Sequence, residues 1–192
     1  MIPLNVPNLL TLSRIILIPL IIAIFYVPDD WLSFSGKNMT ATAIFIFAAV
    51  TDWLDGYLAR RLNQMSAFGA FLDPVADKLI VVGALIVLLK EGRVDAVIAL
   101  IIIGREIAIS ALREWMAKAG QAKSVAVAFI GKLKTLSQMN AIPLLLLYDD
   151  NLLGLVDCSV LGTILINVAA VLTVVSMLYY LRKALPYASA RG

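Results

Sequence analysis

Four aspartates in the first half of this 192-residue chain have the spacing of a catalytic carboxylate cluster. Asp52 and Asp55 are three residues apart, and Asp73 and Asp77 are four apart, so each pair shares one face of a helix. Both pairs are set in apolar sequence, where an ionised side chain costs about 2.5–3.5 kcal/mol at the centre of a membrane helix. Since four neighbouring carboxylates also repel one another, the arrangement requires cations.

The residue types available narrow the chemistry to carboxylates and metal ions. Histidine is absent, and the single Cys158 forms no metal-binding spacing with another cysteine. Oxygen-only ligand sets suit Mg²⁺ or Mn²⁺, and two ions about 3.5–4 Å apart can bridge a diphosphate. Arg60, Arg61 and Lys78 are nearby side chains that could neutralise part of the negative charge. We therefore predict that the four aspartates hold two Mg²⁺ or Mn²⁺ ions.

Each aspartate pair taken alone has a structural alternative. Asp73 could be an N-cap, with Pro74 in the first helical turn that follows it. Asp55 and Gly56 could form a turn. The alternatives weaken when both pairs are considered together, because only residues 60–67 separate the two helical segments and all four carboxylates then meet at one end.

The elements that position these residues are predicted to be transmembrane helices. Apolar residues make up 61% of the chain and charged residues 15%, against about 25% in a typical soluble domain. A span needs about 20 apolar residues. Tyr179 and Tyr180, near the end of the last such segment, match an interfacial aromatic belt. Six segments qualify: 9–27, 39–59, 68–89, 94–116, 125–148 and 152–181.

The charges predict how these six helices are oriented. If the chain starts in the cytoplasm, the outer segments 28–38, 90–95 and 149–157 hold three of the 16 basic residues and seven of the 13 acidic ones. This bias predicts that both termini are cytoplasmic. The remaining six acids, Glu106 and Glu114 among them, then lie near the cytoplasmic side, where we expect the active site. The N-terminal segment lacks a basic region and a cleavage site, so we expect it to be retained.

A basic cluster on the same side of the membrane suits an anionic acceptor. Arg105 and Arg113 are eight residues apart and share a helix face, while Lys132 and Lys134 lie in the fifth segment near the same membrane side. Guanidinium groups bind phosphate in a bidentate manner. The alternative is that these residues are topology anchors or partners of acidic neighbours.

Asp77, the innermost carboxylate of its helix face, is our candidate general base.

Several motifs resemble those of the CDP-alcohol phosphotransferases, and the similarity is greatest to bacterial members of that family. It extends over nearly the whole chain and includes Pro7-Asn8-Leu9-Leu10-Thr11-x2-Arg14, Arg105-Glu106-x6-Arg113-Glu114-Trp115 and Gly131-Lys132-x-Lys134-Thr135. The central motif is Asp52-x2-Asp55-Gly56-x2-Ala59-Arg60-x8-Gly69-x3-Asp73-x3-Asp77.

The resemblance implies an all-α, six-helix integral membrane fold, with residues 1–192 forming one catalytic domain, usually in a homodimer. It implies transfer of the phosphatidyl group from CDP-diacylglycerol to sn-glycerol 3-phosphate at the bacterial cytoplasmic membrane, among membrane lipids and with no nucleic acid partner. Asp52, Asp55 and Asp73 would bind two metal ions, and Asp77 would be both ligand and base. The CDP-diacylglycerol contacts would be Asn8, Thr11, Gly56, Ala59, Arg60, Ser66 and Gly69.

Three other functions are compatible with these residues. A related transferase could use inositol phosphate or serine as the acceptor. A cation transporter would also place acids within the membrane, although it predicts them spread across the bilayer depth. A non-catalytic scaffold gives no reason for carboxylates within apolar helices.

Overall fold

The computed structural model describes residues 6–61, 66–118, 120, 129–149 and 157–189, and these form six α-helices and no β-strand. The prediction of six helices is confirmed, with boundaries that mostly differ by a few residues from those expected. The helices are α1 (Val6–Ile24), α2 (Phe34–Arg61), α3 (Ala67–Lys90), α4 (Ala96–Lys118), α5 (Phe129–Leu147) and α6 (Cys158–Ser189).

Side-chain caps determine where several helices begin. Ser33 Oγ accepts a hydrogen bond from the Gly36 N–H at 3.2 Å, so α2 starts five residues earlier than its apolar run predicts. Ser66 Oγ accepts from the Gly69 N–H at 2.9 Å and caps α3. At α6, Asp157 Oδ1 accepts from the backbone N–H groups of Ser159 and Val160. The Val160 hydrogen bond is the main reason that the pKa of Asp157 is lowered. These caps satisfy N–H groups that the helices themselves leave unpaired.

The two structural alternatives for the aspartate pairs are wrong. Pro74 lies inside α3, well past its first turn, and the N-cap of that helix is Ser66. Asp55 and Gly56 lie within α2 and form no turn. Both aspartate pairs are therefore carried by continuous helices.

Each helix packs against at least two others in the bundle. α1 packs on α2 and α3, α2 contacts α5, and α6 packs on α5 and α4. A main apolar core includes Phe45, Leu85, Ile102 and Ile142, and a smaller one joins α4 to α6 around Met116.

A buried arginine, Arg93, joins helices at the end of the bundle opposite Asp73 and Asp77. Arg93, in the loop between α3 and α4, donates from Nη1 to the carbonyl oxygens of Leu145 and Leu146 at 2.9 and 2.8 Å, and from Nη2 to Asn38 Oδ1 at 2.7 Å. The two carbonyls belong to the last turn of α5, where intrahelical donors run out. Arg93 thereby links the start of α2 to the end of α5.

All six helices carry apolar side chains on the surface of the bundle. Large exposed side chains occur on each of them, for example Ile16, Phe47, Phe71, Leu100, Leu136 and Val171. By length and composition, one helix in the described ranges, Cys158–Tyr187, is long and apolar enough to cross a membrane, and Asn8–Ile24 is apolar but shorter.

Candidate active site

The four aspartates predicted from their spacing come together between α2 and α3. Asp52, Asp73 and Asp77 have side chains that are 48%, 43% and 46% exposed, whereas the Asp55 side chain is 4% exposed. Three carboxylates are thus accessible and the fourth lies beneath them. The predicted convergence of the two helix faces is confirmed.

A single guanidinium, that of Arg14 on α1, lies among all four carboxylates. Its Nη1 donates to Asp52 Oδ1 at 2.6 Å and to Asp77 Oδ1. Its Nη2 donates to Asp55 Oδ2 at 2.5 Å and lies 3.8 Å from Asp73 Oδ1. Arg14 is 1% exposed, and four carboxylates against one guanidinium leave a formal charge of −3.

The start of α1 also contacts both aspartate helices through neutral side chains. Thr11 Oγ1 lies 2.6 Å from Asp73 Oδ1 and 3.2 Å from Asp55 Oδ2, so it joins the two aspartate pairs. The Ser66 hydroxyl donates to Asn8 Oδ1 at 3.1 Å. A Cβ added at Gly69 would lie 2.5 Å from the same Asn8 oxygen. Four predicted CDP contacts, Asn8, Thr11, Ser66 and Gly69, therefore lie beside the aspartates.

The other three residues predicted to contact CDP lie near the end of α2. Gly56, Ala59 and Arg60 lie within α2, on the turns that follow Asp52 and Asp55, and only their place in the helix is described.

The donor chemistry at this cluster fits a divalent metal. Four carboxylates and the Thr11 hydroxyl supply only oxygen donors, which Mg²⁺ and Mn²⁺ prefer. The carboxylates already converge on one cation, the Arg14 guanidinium. In the described ranges, no group of three or more acidic or cysteine side chains is spaced as the ligands of one ion.

One cavity of about 480 Å³ connects the aspartates to the predicted basic cluster. Its lining includes Asp52 and Asp77 at one side and Arg105, Arg113 and Lys134 at the other. Three of the four residues predicted for the acceptor phosphate therefore face the same space as the carboxylates.

The fourth predicted acceptor residue, Lys132, lies elsewhere. It is exposed and absent from the cavity lining, whereas Lys134 is fully buried and lines it. The reason is geometric, because two residues along an α-helix turn the side chain by about 200°. The structure thus favours Lys134 over Lys132 as the cavity-facing lysine.

Two further residues organise the basic cluster. Glu106 Oε1 accepts a hydrogen bond from Lys134 Nζ and lies 3.6 Å from Arg105 Nη1. Arg105, Arg113 and Lys134 together with this one carboxylate have a formal charge of +2. Tyr180 is fully buried, with the guanidinium carbons of Arg105 and Arg113 at 5.8 and 5.3 Å from its ring centroid. Its predicted place in an interfacial belt is wrong, because α6 turns this ring towards α4.

Residue types and spacing assigned no specific role in the site to three participants: Arg14, Glu106 and Tyr180. Arg14 carried a usable signal, since a lone arginine in the middle of an apolar segment requires a buried anionic partner. Tyr180 carried none, because an aromatic residue near a helix end fits a surface belt equally well.

Comparison with known proteins gives a consistent result. A family model described as CDP-alcohol phosphatidyltransferase matches residues 4–175. The chain is 50% identical over 182 residues to a protein of Escherichia coli (strain K12) named CDP-diacylglycerol--glycerol-3-phosphate 3-phosphatidyltransferase, with 94% of each chain covered. A protein of Salmonella choleraesuis (strain SC-B67) with the same name is 48% identical over 94% of each chain.

Proposed function

The chain belongs to the CDP-alcohol phosphatidyltransferase family, and we propose that it transfers the phosphatidyl group from CDP-diacylglycerol to sn-glycerol 3-phosphate. The products are phosphatidylglycerophosphate and CMP, so the reaction belongs to phospholipid biosynthesis. The relatives that are about half identical to this chain carry the name of this activity.

The observation that carries the proposal is the shared cavity. A diphosphate donor and a phosphate-bearing acceptor both need positive charge, and both must meet at one phosphorus atom. The cavity lined by Asp52 and Asp77 is also lined by Arg105, Arg113 and Lys134. An anionic acceptor bound to these three cations would have its free hydroxyl directed towards the aspartates.

At the donor side, the four aspartates would hold two Mg²⁺ or Mn²⁺ ions. Metal ions bound there would neutralise the diphosphate and stabilise the charge that develops on the leaving CMP. The residues proposed to contact CDP-diacylglycerol are those around the ends of α1, α2 and α3: Asn8, Thr11, Gly56, Ala59, Arg60, Ser66 and Gly69.

Asp77 is the residue that we propose moves a proton. Its carboxylate lines the cavity and is nearly half exposed. It would take the proton from the primary hydroxyl of glycerol 3-phosphate as that oxygen forms a bond to the β-phosphorus of CDP-diacylglycerol. The bond from this phosphorus to the oxygen shared with the α-phosphate breaks, and CMP leaves with the electron pair.

A second groove of about 440 Å³, mostly apolar, lies beside this cavity. It lies between α2 and α5 and shares Phe45, Ala49 and Met139 with the cavity lining. Its other walls include Val50 and Trp53, which are exposed on the outer surface of the bundle. We propose that the acyl chains of the donor follow this groove out to the bilayer.

We propose that all six helices span the bacterial cytoplasmic membrane, with both termini and the active site on the cytoplasmic side. The apolar exposed surface of each helix supports this arrangement. The helix α3 is less apolar than a simple span because it carries Asp73, Asp77 and Lys78. The shared cavity accounts for these charged residues, since Asp77 and Lys78 line it. Residues 1–192 would form one catalytic domain, and we expect a homodimer among membrane lipids.

One assay tests this function against a different acceptor. Purified protein is given CDP-diacylglycerol with glycerol 3-phosphate, inositol phosphate or serine, with Mg²⁺ or with EDTA. We expect CMP release with glycerol 3-phosphate and Mg²⁺, and its loss in EDTA. Faster turnover of serine, which has no phosphate for Arg105, Arg113 and Lys134, would contradict the proposal.

A further inference from the structure

The two ends of the Arg14 guanidinium lie in different surroundings. Nη2 is bonded to Asp55, whose carboxylate is buried and is also contacted by Thr11. Nη1 is bonded to Asp52 and Asp77, whose carboxylates are about half exposed and line the cavity. The Nη2 end is therefore held by a buried carboxylate, and the Nη1 end borders the space that a substrate enters.

Arg14 cannot neutralise the charge of the cluster by itself. A guanidinium keeps its proton at any physiological pH, so Arg14 is a permanent single charge. Four carboxylates around it leave a formal charge of −3, and this charge attracts further cations. A divalent ion binding to Asp52 and Asp77 must take carboxylate oxygens that Nη1 now holds.

We propose that Arg14 is an exchangeable counter-cation for the metal site. Without divalent ions, it offsets one of the four negative charges and keeps α1 joined to α2 and α3. When ions bind, Nη1 gives up Asp52 and Asp77 while Nη2 stays on Asp55. The released Nη1 borders the cavity and becomes a donor for a phosphate oxygen of the substrate. This inference rests on the proposed divalent-metal site.

The exchange has a measurable consequence for metal affinity. If the paired form of Arg14 outnumbers the released form by about ten to one, apparent metal binding is weakened about tenfold. Removing the guanidinium should therefore tighten metal binding, even though it destabilises the metal-free protein. A residue that merely helps to shape the site would have the opposite effect on affinity.

The test uses the full-length protein, purified in detergent, stripped with EDTA and titrated with Mn²⁺ alone while free Mn²⁺ is followed by electron paramagnetic resonance. We expect Arg14→Gln to bind Mn²⁺ about tenfold more tightly than the wild type. In EDTA this variant should unfold at a lower temperature, and Mn²⁺ should raise its unfolding temperature more than that of the wild type. Arg93→Gln is the matched control, because it removes another buried arginine and should leave Mn²⁺ affinity unchanged.

Arg14→Lys keeps the test valid if Arg14→Gln does not fold. A lysine retains the charge but presents one nitrogen, so it cannot hold Asp55 and both cavity carboxylates at once. We expect intermediate, about threefold tighter Mn²⁺ binding. Unchanged or weaker binding in the Arg14 variants would overturn the exchange and leave the metal site standing. Failure of wild type and variants alike to bind Mn²⁺ would overturn both.

Discussion

Asp77 lies at the boundary between the carboxylate cluster and the cavity, with one oxygen bonded to Arg14 and its side chain nearly half exposed. General base catalysis contributes about 10²- to 10⁴-fold to rate. We therefore expect Asp77→Asn to lower kcat at least about 100-fold at saturating Mg²⁺, measured as CMP release. Near-normal turnover would show that another group accepts the proton.

Lys134 and Lys132 allow a matched comparison on a single helix. Lys134 lines the cavity and contacts Glu106, whereas Lys132 is exposed. Loss of one hydrogen bond to a charged group costs about 1.5–3 kcal/mol. We expect Lys134→Ala to raise the KM for glycerol 3-phosphate by about tenfold or more, with little change in the KM for CDP-diacylglycerol.

Lys132→Ala is the control for that experiment and should behave like the wild type. Equal effects of the two substitutions would mean that both lysines act through general surface charge. In that case the buried position of Lys134 would have no special role in acceptor binding.

The aspartates could be predicted at the scale of residues because their spacing and their apolar neighbours are features of the local sequence. Their partners could not be predicted in this way. Arg14 meets its carboxylates from 38, 41 and 63 positions away in the chain, and no local pattern records such pairings.

At the scale of elements, the contact between α1 and α3 depends on a glycine. A Cβ at Gly69 would lie 2.5 Å from Asn8 Oδ1, so Asn8 would have to move and its hydrogen bond from Ser66 would be strained. Overpacking of this kind costs about 1–3 kcal/mol. We expect Gly69→Ala to lower the unfolding temperature in detergent and to raise the KM for CDP-diacylglycerol.

Gly104→Ala is the matched control, because Gly104 is also helical and a Cβ there meets nothing within 4 Å. This substitution should leave stability equal or slightly higher, since alanine favours helix by up to about 1 kcal/mol over glycine. Loss of stability in both variants would indicate that the contact with Asn8 is not the cause.

The helices themselves were predictable because the length of an apolar run and the residues that cap it are local features. The start of α2 at Phe34 was missed because the cap at Ser33 lies in a polar stretch before the apolar run. The hydrogen bonds between Arg93 and the end of α5 could not be predicted either, since they join residues 52 and 53 positions apart.

For the whole molecule, the proposed topology places Asp30, in the loop before α2, and Lys118, at the end of α4, on opposite sides of the membrane. In a Cys158→Ala background, a membrane-impermeant maleimide applied to intact cells should label Asp30→Cys and leave Lys118→Cys unlabelled. Both positions are exposed in the structure, so burial does not limit labelling at either. Permeabilised cells supply the control in which both are labelled, and the reversed pattern would contradict the cytoplasmic active site.

The amino-acid sequence by itself determined that the chain is helical, that it has six helices, and that four aspartates on two of them form one cluster. Apolar run length and helical period decide these features within a few turns of chain. Only the tertiary structure decided that Arg14 lies among the carboxylates and that Lys134 faces the cavity. These features depend on how the helices are rotated against one another, and that rotation is set by packing between residues far apart in the chain.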